Sequence, residues 1–328
     1  MAGQAAVTNA PETGKTACLV ADVGGTNTRL AVWDGAHLQR QTRIANDAHA
    51  SFNDLLRAYL AARPGGRLTA CCIAIAGPVT GGRAELTNRN WVVEPIEVAD
   101  VLSLPSGDDV RLTNDLVAQG YALSVLGGDQ LRHLRGRAAT GGQQLVVGMG
   151  TGFNVCLVRD SAAGPVVFEA ELGHASLPDR VARVLRDVLG DKAGAITTNE
   201  DIFSGRGLSR LYGLLTGWGD RPGEAILADY DPARPSAETR TVDLVARLMG
   251  LLARELVYYY LPMGGIYFAG SVARGVLSTS ASAVFLQSFT RPGRFLEQVE
   301  QVPVRVISDD GAALLGAARI AGNQRPTA

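Results

Sequence analysis

Residues 17–23 are apolar except for Asp22, give way to Gly24-Gly25-Thr26-Asn27, and are followed by a second largely apolar run over 29–33. Short apolar runs bounded by glycine read as buried strands, and two of them joined by a Gly-rich turn read as a hairpin. Over 51–63 the apolar positions are Phe52, Leu55, Leu56, Tyr59 and Leu60, the spacing of a helix face, with Ser51 as N-cap and Pro64-Gly65 as stop. Residues 70–76 form a further apolar run that ends at Gly77-Pro78 and suits a central strand. Residues 110–113 predict another strand, after which Asn114-Asp115 open a helix running to about Val125.

The same pattern begins again at residue 144. A strand over 144–147 leads into Gly148-Met149-Gly150-Thr151-Gly152, and an apolar run over 155–158 follows, so a second hairpin with a glycine-rich tip is predicted. Helices are predicted over 179–189, 207–215, 238–260 (stopped by Pro262) and 311–320, with strands over 266–269, ending at Gly270, and over 302–307. Strands alternating with helices imply α/β layers, with helices covering a mixed sheet. Two such lobes are expected to bind a ligand in a central cleft.

Composition narrows the class. At 328 residues the chain exceeds what one hydrophobic core usually supports, so two domains are expected. Hydrophobic residues at 46% and charged residues at 19% fit a globular enzyme. The formal net charge of −1, with no Lys/Arg run, speaks against a nucleic-acid partner. The most basic stretch, 132–137, is interrupted by His133, Leu134 and Gly136 and reads as a solvated helix end or loop. Cys18, Cys71, Cys72 and Cys156 form no C-x-x-C pair, and three sit in apolar runs, as buried reduced thiols of a cytoplasmic protein would. The longest apolar stretch, 244–261, carries Arg247, Arg254 and Glu255, so no membrane span is expected. Residues 1–16 have neither a basic nor an apolar leader segment and read as a disordered tail. Gly14-Lys15-Thr16 imitates the end of a P-loop, but Asn9 stands where the earlier glycine belongs, and the trio precedes the first strand instead of following one.

The chemistry is concentrated at the glycine tips and at isolated polar residues. In Asp22-Val23-Gly24-Gly25-Thr26-Asn27, glycines let backbone N–H groups approach an anion, and Asp22 could reach a hydrated Mg²⁺. A plain turn needing positive φ explains that hairpin equally well. A second such tip, at Gly148, Gly150, Thr151 and Gly152, shifts the balance toward a polyphosphate gripped by two loops. Asn114-Asp115 taken alone suit a helix cap.

The ordered segments LVADVGGTNTRLAVWD, LTNRNW, LTNDLVAQGYAL, VVGMGTGFNVCLV, ELGH, NEDIFSGRGL and GGIYFAGSVARGVL resemble the bacterial glucokinase family, over residues 17 to about 320. The resemblance implies a two-lobed actin-like (RNase H-like) ATPase fold. Its smaller lobe would cover 17–125, completed by a C-terminal helix over 310–322, and its larger lobe 126–309. It implies transfer of the ATP γ-phosphoryl group to the 6-hydroxyl of glucose in glycolysis, with Mg²⁺ as cofactor, in a cytoplasmic homodimer. Asp115 then matches the general base, a role that fits a hydroxyl losing its proton as it attacks phosphorus. Asn88, Asn114, Glu171, His174 and Glu200 match sugar-binding positions, and carboxylates, amides and imidazole suit vicinal hydroxyls. Asp22, Gly24, Gly25, Thr26, Asn27, Gly148, Gly150, Thr151, Gly152 and Gly270 match the nucleotide side, with Asp22 as the Mg²⁺ residue acting through water.

Three departures accompany the match: Leu172 and Ser271 stand where the family often has glycine, and Phe153-Asn154 replace small residues after the second phosphate loop. The competing readings are a kinase for another hexose, a repressor–kinase relative and a non-catalytic sugar sensor. The repressor–kinase family commonly carries a Cys-rich zinc motif, which is lacking here, and a DNA-binding sensor would want an appended helix-turn-helix.

Overall fold

A computed structural model describes residues 17–62, 66–136 and 139–322, so the tail over 1–16 and the Pro64-Gly65 stop lie outside the described residues. The chain divides into two compact units, one of residues up to Ala122 and from Ala313 onward, the other Leu123–Ala312.

The first unit is built on β1 (Ala17–Val23), β2 (Asn27–Trp33), β3 (Leu38–Ala45), α1 (Phe52–Ala62), β4 (Leu68–Ile75), the short strands β5 (Val79–Thr80), β6 (Arg83–Glu85) and β7 (Val92–Val93), α2 (Pro95–Leu102), β8 (Val110–Asn114) and α3 (Asp115–Ala122). Its main sheet has the order β3-β2-β1-β4-β8. β1, β4 and β8 are parallel, and β2 and β3 return antiparallel. Side chains alternate across this sheet because successive strand residues point to opposite faces. Leu19, Ala21 and Val23 of β1 join Cys71, Ile73 and Ile75 of β4 in a core with α1 and α2. On the other face Cys18, Val20, Cys72 and Ala74 pack against Leu314, Ala317 and Ala318 of the C-terminal helix, Ala312–Gly322. Burial on both faces explains why β1 and β4 read as almost wholly apolar runs.

The second unit contains β9 (Leu131–Arg135), β10 (Gln143–Met149), β11 (Phe153–Arg159), β12 (Val166–Glu169), α4 (Asp179–Leu189), α5 (Gly205–Thr216), α6 (Gly223–Ala228), α7 (Ala237–Tyr260), β13 (Gly265–Ala269), α8 (Ser271–Leu277), α9 (Ser282–Phe289), α10 (Leu296–Gln301) and β14 (Val304–Ile307). Its sheet runs β12-β11-β10-β13-β14-β9, with β10, β13 and β14 parallel and β11 and β12 returning antiparallel. Apart from β9, this repeats the strand plan of the first unit. α7 is buried nearly all round, and α4, α5, α6 and α9 pack on it. Ser236 caps its N-terminus through the Thr239 N–H at 3.0 Å, and Leu261 in the left-handed region (φ 42°) ends it just before Pro262. Among the described residues no helix is long and apolar enough to cross a membrane.

One expectation is corrected. The basic stretch 132–137, read as a solvated helix end or loop, lies up to Arg135 in the edge strand β9, paired antiparallel with β14, and residue 137 is outside the described residues. Arg132 donates to the Leu277 carbonyl at 2.8 Å and Arg135 pairs with Glu300, so two of the cations that looked like a solvated face fasten a sheet edge.

Candidate active site

In the first unit, sheet register brings the polar residues to one edge. Val23, Ile75 and Asn114 align across β1, β4 and β8, so the C-terminal ends of three parallel strands coincide. That is where α/β sheets hold ligands. Asp22 is nearly buried at the end of β1, directly opposite Arg29 in the β1–β2 ladder, and the two form an ion pair at 3.2 Å. The hairpin tip is closed by Gly24 N–H donating to the Asn27 carbonyl at 3.0 Å, with Thr26 exposed. Two residues that sequence reasoning missed fasten it from outside. Fully buried Asn46 donates to the Gly24 carbonyl at 2.7 Å and accepts from Thr28 Oγ1 at 2.8 Å, while Arg89 Nε donates to the Gly25 carbonyl at 3.1 Å. Asn88 lies beside Gly25: a Cβ built on that glycine would sit 3.5 Å from Asn88 Nδ2.

Asn114 and Asp115 stand where β8 turns into α3. Asn114 Oδ1 accepts from the Leu116 N–H at 2.9 Å and its amide donates to the Gly77 carbonyl at 3.2 Å. The cap and the sugar-binding readings are therefore compatible, since one N–H and one lone pair of that amide remain. Asp115 Oδ1 also accepts from the Leu116 N–H, at 2.9 Å. Burial and then the Asp22 charge nonetheless push its carboxyl up to about 7.

In the second unit, two consecutive residues of β11 hold the carboxylates of Glu200 and Glu171. The Phe153 N–H donates to Glu200 Oε2 at 3.1 Å, and Asn154 Nδ2 donates to Glu171 Oε2 at 3.0 Å. Gly173 is wedged into this corner: a Cβ there would lie 2.3 Å from the Phe153 carbonyl and 3.5 Å from Glu200 Oε2, so no larger residue fits. Glu200 is oriented further by Arg206 at 2.9 Å, and its backbone N–H donates to the Gly173 carbonyl at 2.9 Å. His174 is exposed, unlike a core histidine. The glycine tip is closed by Gly150 N–H on the Gly152 carbonyl at 3.0 Å, and the Gly205 N–H at the start of α5 donates to the Gly150 carbonyl at 2.8 Å. Gly270 (φ 92°) brings the end of β13 against the Met149 carbonyl, where a Cβ would lie 2.3 Å away. Gly148, Gly150, Gly152 and Gly270 are thus brought together with Glu171 and Glu200 around one hairpin.

The departures have local explanations. Phe153 is buried and packs against Phe203 with ring centroids 5.6 Å apart. Leu172 packs on the core, and its N–H and carbonyl are taken by Asn154 and Asn199. Ser271 simply opens α8 after Gly270.

Among the described residues no group of three potential ligands could hold a metal. Asp22 and Asp115, near enough for one charge to act on the other, suit a hydrated Mg²⁺ carried on phosphate oxygens and not a cage made of protein.

Comparison with known proteins fits this geometry. The glucokinase family model matches residues 19–324. The glucokinase of Stenotrophomonas maltophilia (strain R551-3) is 31% identical, with 93% of this chain and 95% of the relative covered. The glucokinase of Brucella suis biovar 1 (strain 1330) is 29% identical, covering 95% and 92%. The crystal structure of a glucokinase from an Antarctic psychrotroph superposes with a TM-score of 0.77 at 25% identity, covering 95% of this chain and all of that one. With its actin-like sugar-kinase fold and a family match over nearly its whole length, the chain belongs to the glucokinase family of hexose kinases.

Proposed function

We propose that the protein transfers the γ-phosphoryl group of ATP to the 6-hydroxyl of glucose, with Asp115 as the general base. The observation that carries this reading is the Asp115 carboxyl itself, at the C-terminal edge of a parallel sheet and pushed up to about 7. A base works best with a pKa near the operating pH, where a substantial fraction is ionised and still basic enough to take a proton. Asn88, Asn114, Glu171, His174 and Glu200 would bind the sugar hydroxyls. The glycine tips at 24–27 and 148–152, with Gly270, would receive the nucleotide. Asp22 would hold the hydrated Mg²⁺, whose charge offsets that of the phosphates. Asp115 takes the hydroxyl proton as the oxygen attacks phosphorus, and ADP leaves with the electrons of the broken P–O bond. In the cell this reaction would feed glycolysis.

A coupled assay of ADP release, run with ATP–Mg²⁺ and a panel of glucose, mannose, fructose and N-acetylglucosamine, tests the reading. Glucose-dependent turnover should fall by about 10²–10⁴-fold in Asp115→Asn with sugar binding retained. Preference for another sugar would correct the substrate. Sugar binding without turnover in the unmutated protein would replace the kinase reading by that of a sugar sensor.

A further inference from the structure

We propose that Asn154 is a positioning residue for the sugar: its carboxamide fixes Glu171 and joins the sugar-side carboxylate rigidly to the phosphate-side hairpin. The inference rests on the reading of Glu171 as a sugar-binding residue. Asn154 is the second residue of β11, opposite Gly148 in the β10–β11 ladder, so it stands at the glycine tip itself. Strand alternation sends the Phe153 ring into the core and leaves the Asn154 carboxamide on the other face.

Three hydrogen bonds fix that carboxamide. Oδ1 accepts from the Val155 N–H at 2.9 Å and from the Leu172 N–H at 3.0 Å, and Nδ2 donates to Glu171 Oε2 at 3.0 Å. The network admits one orientation only, because a flipped amide would aim its NH₂ at two N–H donors and its oxygen at a carboxylate. Glu171 is exposed, and an exposed glutamate samples many rotamers unless something holds it. Asn154 supplies that hold, and the Leu172 bond brings the preceding backbone to the same point. A sugar hydroxyl then meets a carboxylate already oriented, and less ordering entropy is lost on binding. Phe153 N–H does the equivalent for Glu200, so adjacent residues of one strand set both carboxylates.

Asn154→Asp separates the roles. It keeps the acceptor for both backbone N–H groups and removes only the donor to Glu171, placing like charges side by side. Expected is a rise in KM for glucose of roughly 10-fold or more, with kcat and the KM for ATP changed less than about 3-fold and far-UV circular dichroism and Tm preserved. Asn154→Ala should act in the same direction. The effect of Asn154→Ala on glucose KM should largely vanish in a Glu171→Ala background, because the two act as one unit. Equal effects of Asn154→Ala with and without Glu171, or a loss confined to kcat, would overturn the positioning role. An unchanged glucose KM in Glu171→Ala alone would instead remove the parent reading of Glu171, and the inference with it.

Discussion

Asp115 is the residue whose chemistry and stability pull in opposite directions. Its carboxyl is pushed up from 3.8 to about 7, first by burial and then by the Asp22 charge. The folded state therefore binds more protons than the unfolded chain between about pH 4 and 7, and the stability contributed by this group is full below pH 4 and lost as pH rises toward 7. Asp115→Asn should accordingly stabilise the protein above pH 7, by roughly 4 kcal/mol, while abolishing most turnover, and its advantage should disappear below about pH 4. Urea melts at pH 4 and pH 8 read the difference; equal shifts at both would contradict it. The same carboxyl predicts that kcat/KM rises with pH through an acid limb near 7. In Asp22→Asn the residual activity should titrate at lower pH, because a negative neighbour has gone. A limb unmoved by that substitution would assign it to another group.

At the scale of elements, the sequence exposed what is buried on both sides and concealed what depends on a partner. β1, β4 and α4 follow directly from apolar runs and 3.6-residue spacing. β3 and β9 do not, because LQRQTRIA and LRHLR lie at sheet edges, mostly exposed, and become strands by pairing with β2 and β14. The site divides the same way. Asp115, Glu171 and Glu200 stand out in the sequence only through motifs that resemble a family's, whereas Asn46, Arg89 and Asn154 make bonds to residues distant in the chain, which leave no local pattern. Asn46 shows what such a residue does for an element. Asn46→Ala would leave the Gly24 carbonyl and the Thr28 hydroxyl without their bonds at a fully buried position. We expect a loss of roughly 2–3 kcal/mol together with a raised KM for ATP and a glucose KM little changed. A glucose effect as large as the ATP effect would show that the first hairpin serves the sugar.

At the scale of the whole molecule, two units with separate cores carry the same strand plan, and the cysteines are distributed unevenly between them. Cys18, Cys71 and Cys72 sit in the sheet of the first unit and Cys156 in that of the second; all four are buried and outside any disulfide. Burial pushes the Cys18 and Cys72 thiols up to about 12 and Cys71 well above the ordinary range, so the thiolate is scarce as well as shielded. Native protein at pH 8 should therefore give almost no fast reaction with a thiol reagent, and denatured protein four equivalents. In between, the order of labelling reports which unit opens first, because local opening free energies differ across a structure. The first unit takes residues from both ends of the chain, and its Cys18–Cys72 face is covered by the C-terminal helix. Loss of that helix would uncover the face holding these two thiols, whereas Cys156 is buried in β11 and is not among the residues packed with that helix. Mass-resolved labelling in rising urea should show Cys18 and Cys72 modified before Cys156. Simultaneous labelling of all of them would mean that the two units unfold as one cooperative body, and earlier labelling of Cys156 would place the weaker core in the second unit.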